Sequence, residues 1–363
     1  MTPPHTGAST SRLLAFWDEP SFAIGAVEFL SIDVAIAAMA RGDWSAFERR
    51  LAEGLACAAH ADARGSGPTA DAIDAAGTAF RYDRDLISAT EMNDWLERLG
   101  LSLDEWSNYL KRTLLRHGLR DTVEDVLDSY QPSAAVLTQA SFVEGVCSGS
   151  FDAFAENFAG RAALIGDLLA LTAPGLEPST ASDAAASQLV HAHAHWLSNR
   201  PAGDAVARAR RILAIESAYD AAVTRLLGEV SLSETVDRHR MDWRLIETDT
   251  VVFSTEHAAR EAILCIRDEQ LSLQHVASLA RRTAERRRRF ADTIGAADRL
   301  LTADPGSLVG PEVVDDGFEV TRLVGCTWPS LDDPRVAERA RAAAVEAAVQ
   351  QAVRERVTRR PGG

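Results

Sequence analysis

Lysine is almost missing: Lys111 is the only one, so nearly all positive charge is arginine. Positive charge is itself in short supply. Lys and Arg number 38 against 53 Asp and Glu, a formal net charge of −15, which disfavours general affinity for nucleic acid or an anionic membrane surface. Cysteine is sparse. Cys57, Cys147, Cys265 and Cys326 show no CxxC spacing, so neither a disulfide framework nor a zinc knuckle is indicated and a reducing compartment fits. Long apolar runs are lacking too. The most apolar window, Phe22 to Ala40, carries Glu28 and Asp33, and a carboxylate at mid-bilayer costs about 2.5–3.5 kcal/mol. It reads as a buried helix, with no membrane partner expected. Residues 1–12 lack the charged-then-apolar pattern of a secretory leader, so the expected location is cytoplasmic. No GxGxxG or GxxxxGK[ST] motif occurs, Gly145 to Gly149 does not match GxSxG, and no cofactor is expected.

What is present suits a folded chain. Of the 363 residues 46% are hydrophobic and 25% charged, the balance of a globular protein of two or three domains. A polar tail (1–11) is expected to be disordered. Residues 12–130 read as a helical domain. Phe47, Leu51 and Leu55 fall on one helix face. Ser88 with Glu91, and Ser102 with Glu105, have capping-box spacing around a tight helical hairpin. A second helical segment spans 131–242, broken at Pro174 to Pro178. Within it Ile212, Ile215, Tyr219, Val223 and Leu226 mark one long amphipathic helix.

The pattern changes at Trp243. Leu245 to Phe253 is rich in β-formers, and helices beginning at Ser254–Glu256 and Ser272 follow. Leu308–Val313 and Phe318–Val324 read as strands joined by a hairpin at Asp315-Asp316-Gly317. Asp333 before Pro334 starts an alanine-rich helix. Residues 243–330 therefore form a small α+β module on a mainly α chain, and 331–363 supply a C-terminal helix expected to pack on the helical body.

That element order resembles the parvulin type of prolyl isomerase. Thr255-Glu256-His257-Ala258-Ala259-Arg260-Glu261-Ala262 resembles the start of the first parvulin helix. Leu273 to Ala277, Pro305 to Pro311 and Gly317 to Leu323 resemble later motifs of that family. The stretch from Ile87 through Trp106 is similar to the helical hairpin of SurA-like chaperones. The combination resembles actinobacterial parvulin-related proteins linked to the maturation of ribosomally made modified peptides. The resemblance implies a SurA-like helical body carrying a degenerate parvulin-like module and a C-terminal helix. Parvulins place one histidine on the first strand and another on the last, beneath the substrate proline. The matching positions here are Thr250 and Glu319, and the middle segment, which would supply the second strand and a cysteine or aspartate, reads Arg281 to Arg289. The implied role is a chaperone-like accessory protein that binds a precursor or unfolded peptide, with other maturation enzymes as further partners and an inactive isomerase module. The alternative is a peptide-tailoring enzyme, or a residual isomerase, with its site in the cleft between body and module.

Four consecutive arginines, Arg286, Arg287, Arg288 and Arg289, would wrap around an exposed helix. They offer either a docking patch for an acidic peptide or a solvated face. No aromatic interleaving accompanies them, so nucleic acid is not an expected partner. Trp243, Phe253, Phe318 and Trp328 are the candidate aromatic contacts to a peptide, with core anchoring as the plainer role. His191 and His195 share a helix face at a spacing zinc sites use, but position 192 is alanine, where metalloprotease motifs have glutamate, and no third ligand is evident. Cys147 has no nearby base that would make it a nucleophile.

Overall fold

The computed structural model describes residues 6–165, 180–197, 201–295 and 297–359. The chain is mainly α with a small α+β module, and it divides into two compact units, residues 1–224 with 348–363, and residues 225–347. In chain order the elements are α1 (Thr6–Trp17), β1 (Pro20–Ile24), β2 (Val27–Leu30), α2 (Ser31–Arg41), α3 (Asp43–Arg64), α4 (Ala70–Tyr82), α5 (Ala89–Arg98), α6 (Leu103–Gly118), α7 (Val123–Ser129), α8 (Ala134–Cys147), α9 (Ser150–Leu164), α10 (Thr180–Ala192), α11 (Ala194–Leu197) and α12 (Ala202–Glu229). There follow α13 (Leu232–Arg238), β3 (Leu245–Phe253), α14 (Glu256–Asp268), α15 (Leu273–Leu279), β4 (Glu285–Phe290), a 3-10 turn at Ala291–Thr293, α16 (Ala297–Thr302), β5 (Leu308–Val314), β6 (Gly317–Thr327), α17 (Pro334–Arg356) and β7 (Val357–Arg359).

The main core of the first unit shows no divide near residue 130. Residues on both sides of that point, from Leu13 and Trp44 through Leu110 to Phe158 and Ile215, belong to the same buried cluster. Its centre is aromatic: Trp17, Trp44, Phe47, Phe151 and Phe154 lie ring against ring. Gly145 of α8 lets α9 come close, since a Cβ there would stand 2.2 Å from the Phe151 ring. Asp33 is fully buried at the start of α2. It accepts the Leu30 N–H at 3.0 Å and pairs with Arg208 at 3.1 Å and Arg211 at 2.7 Å. A buried carboxylate survives only with such partners. Both capping boxes form as the spacing requires: Ser88 accepts from Glu91 N–H at 3.1 Å and Ser102 from Glu105 N–H at 3.2 Å.

Two expectations for this unit are corrected. The apolar window from Phe22 is not a helix throughout. Phe22, Ile24, Val27 and Phe29 alternate inward on an antiparallel hairpin that turns at Gly25, φ +59°, and the helix begins only at Ser31. β7 adds to this hairpin on the far side of β1, giving the order β2-β1-β7. The tail expected at 1–11 is helical from Thr6. Pro174 to Pro178 lies outside the described residues.

In the second unit, β3, β4, β5 and β6 form an antiparallel sheet in the order β4-β3-β6-β5. Together with the helices between its strands, this sheet is the small α+β module expected here. α14 and α15 cover one face, where Val251, Phe253 and Val320 meet Ala259, Ile263, Leu273 and Val276. The other face is half covered by the segment after β4, through Ala291 and Leu300 against Ile246 and Leu323. Gly317 turns the β5–β6 hairpin at φ +138°, and a Cβ there would lie 2.2 Å from the Phe253 carbonyl oxygen. The C-terminal helix does not belong to the helical body alone. Its first turns contribute Val336 and Ala340 to this unit, packed with Trp243 and Leu245, and its last turns supply Ala352 and Val353 to the core of the first unit.

Candidate functional site

The four arginines form strand β4, not a helix. Their register is Arg286↔Asp249, Arg287↔Thr248, Arg288↔Glu247 and Arg289↔Ile246. Because a strand alternates its side chains between two faces, the run is split into two pairs. Arg286 goes to the helix-covered side. It grips Asp249 through two bonds of 2.6 and 3.1 Å, while Gln274 of α15 donates to the same carboxylate at 3.1 Å. The Arg286 bonds, with help from Gln274, hold the Asp249 pKa below its ordinary value. Arg288 pairs with Asp333 at 2.7 Å, whose other oxygen accepts the Arg335 N–H at the start of α17.

The opposite face carries the two positions matched to the parvulin histidines. Thr250 and Glu319 sit on adjacent strands of one sheet, offset by two residues: Thr250 lies opposite Thr321, and Glu319 opposite Val252. Glu319 is bound on several sides. Arg287 donates to its Oε2 at 3.1 Å, Thr321 donates to its Oε1 at 3.1 Å, and Arg289 approaches the same oxygen at 3.8 Å. Arg287 also pairs with Glu285 at 2.8 Å. Beneath this network lie three buried threonines, Thr248, Thr250 and Thr321. The Thr250 hydroxyl reaches the Glu285 carbonyl oxygen at 3.5 Å, and Thr248 Oγ1 is fully enclosed with no hydrogen-bond partner. Thr248 and Thr321 escaped sequence reasoning. The signal for both was period two, one step along each strand from Thr250 and from Glu319.

Chemically, this face can hold a polar group against guanidiniums and hydroxyls. It offers no imidazole or thiol at the matched positions.

The remaining candidates are placed as follows. Trp243 is a core residue, stacked on His239 at 4.6 Å and 11°. Phe253 is buried under α14 and α15, with Phe318 packed partly buried beside it. Trp328 is 49% exposed, and the Arg240 and Arg244 guanidiniums lie over its ring at 4.7 and 4.5 Å. His191 and His195 do not share a helix: α10 ends at Ala192 and α11 begins at Ala194. His195 instead pairs with Glu48 at 3.3 Å. Among the described residues no group of three His, Cys, Asp or Glu could hold a metal. Burial, reinforced by Glu144, pushes the Cys147 thiol up to about 12, far from a nucleophile's range. No described helix is long and apolar enough to cross a membrane.

No family model matches the chain, and no curated protein matches it. Among solved structures, it is similar to PrsA from Bacillus subtilis at 12% sequence identity and a TM-score of 0.20, over 57% of this chain and 86% of that one.

Proposed function

We propose that the protein is a chaperone-like accessory protein that binds an unfolded or precursor peptide without isomerising its prolyl bonds, and that its setting is the cytoplasmic maturation of a ribosomally made modified peptide. One observation carries the reading. At the position matched to the last-strand histidine stands Glu319, whose oxygens already take Arg287, Thr321 and Arg289. Prolyl isomerisation must lower a barrier of about 18–20 kcal/mol by favouring a twisted amide. A carboxylate with its lone pairs occupied by the protein's own donors is poorly placed to assist that twist. The same face, with hydroxyls and guanidiniums beside an apolar sheet end, is suited to holding a peptide's carbonyl groups.

The test pairs two measurements on the full chain. Fluorescence anisotropy with a labelled, proline-containing unfolded peptide should show saturable binding. Exchange NMR on the same peptide should show cis–trans interconversion at its uncatalysed rate. Absence of binding overturns the reading. A second reading, residual isomerase activity, is favoured by Glu319, which keeps an ionisable group at the matched position with the Thr321 hydroxyl bonded to it. Acceleration of the exchange that disappears in Glu319→Ala would establish it in place of the first.

A further inference from the structure

Every arginine of the β4 run is matched by a carboxylate of its own unit, so the patch that looked free in the sequence is internally neutralised. Arg240 and Arg244 differ. Among the described residues neither pairs with a carboxylate, and Arg244 Nε is buried without a hydrogen bond. Both instead lie over the half-exposed ring of Trp328, at 4.7 and 4.5 Å. The sheet brings them together. Leu245 pairs with Thr327, so the residue before β3 and the residue after β6 meet at one end of the sheet, while Arg240 lies just beyond the end of α13.

We propose that Arg240, Arg244 and Trp328 form a docking point for a carboxylate-bearing segment of the bound peptide. This rests on the peptide-binding reading above and names the chemistry of its partner. A guanidinium stacked on an aromatic ring uses its flat face and keeps N–H groups at its edge for the in-plane recognition of a carboxylate, at Arg244 the terminal Nη groups, since its Nε is enclosed. Two guanidiniums held at one ring concentrate positive charge there, and an anion bound at their edges offsets it beside the half-exposed indole. On a chain of net charge −15, two cations gathered at one ring without a carboxylate of their own attract an acidic segment.

The probes are a fluorescein-labelled peptide of Glu, Ala and Leu and its counterpart with Gln in place of Glu. Each is titrated against the full chain and against Arg240→Ser/Arg244→Ser, with Trp328→Leu as a second variant. The expected result is tighter binding of the Glu peptide at low salt. The double substitution should weaken it about tenfold and leave the Gln peptide unaffected, and Trp328→Leu should weaken it less. If both peptides bind the unaltered chain equally, or the Glu preference survives in the double variant, this docking point is overturned while the peptide-binding reading stands. If neither peptide binds, both fall together. A single-stranded oligonucleotide that displaces the Glu peptide at lower concentration than unlabelled Glu peptide also overturns it, by assigning the arginines to phosphate.

Discussion

Glu319 and Arg287 are joined at 3.1 Å across a face of the sheet that the resemblance reserves for a histidine pair. Removing the carboxylate leaves Arg287 and Arg289 side by side without their anion. Because Arg287 is partly exposed, solvent screens the cost, and Glu319→Ala should destabilise the second unit by about 1–2 kcal/mol. Glu319→Gln, which keeps the acceptor for Thr321, should cost less. Urea midpoints for the two variants decide it, and equal midpoints in all three proteins would show that the network contributes nothing.

Asp33 presents the opposite regime. It is fully enclosed and holds Arg208 and Arg211, so Asp33→Ala strands two guanidiniums and the Leu30 N–H. A loss of about 3–5 kcal/mol in the first unit is expected in chemical denaturation. A loss smaller than that caused by Glu319→Ala would contradict it.

Thr248 carries a hydroxyl with no partner in a site of zero exposure. A buried, unsatisfied polar group costs about 1–3 kcal/mol. Thr248→Val keeps the shape and should therefore raise the melting temperature of the second unit. If it lowers that temperature, the hydroxyl has a partner in solution.

Acid sensitivity should appear in the first unit through Glu105. Burial by itself would raise its pKa, but bonds from Arg12 and from the Ser102 backbone and hydroxyl outweigh it and lower the value from 4.5 to about 2. The folded state thus binds this proton less readily than the unfolded chain. The stabilisation is fully present above about 4.5 and is lost as pH falls from there to about 2. Stability measured across that window should fall less steeply in Glu105→Gln than in the unaltered chain.

Close packing at Gly145 gives one more outcome. Gly145→Ala places a methyl 2.2 Å from the Phe151 ring, and overpacking of this kind costs about 1–3 kcal/mol. Combining it with Phe151→Leu should recover part of the loss, a non-additivity expected of touching residues.

Local signals were the readable ones. Ser88 with Glu91, Ser102 with Glu105, Asp333 before Pro334, and Asp315 to Gly317 each specify a cap or turn through bonds within a few residues, and each forms. What was misread depended on distant partners. Arginine has no decisive strand preference, and Arg286 to Arg289 become β4 because Asp249, Glu247 and Thr248 of β3 lie alongside. The apolar window from Phe22 carries no period that separates a buried helix from a buried hairpin. Its strands are set by pairing with each other and with β7, more than 300 residues away in sequence. His191 and His195 have helical spacing, yet the helix stops between them at His193. Thr250 and Glu319, picked out by the resemblance, lie on adjacent strands of one sheet. The arginines that occupy Glu319 were visible as a run, but their assignment to alternate faces needed the strand.

The four thiols give the molecule its own clocks. Cys57 and Cys147 are sealed in the first unit, where burial raises both pKa values, whereas Cys265 and Cys326 are partly open in the second. Alkylating reagents will therefore mark the second pair in the native state and reach the first pair only when the packing around each opens, the aromatic core in the case of Cys147 and a smaller cluster with Val126 in the case of Cys57. The modification rate at Cys147, read by mass spectrometry, thus becomes a direct gauge of how often that core comes apart and whether a bound peptide keeps it shut.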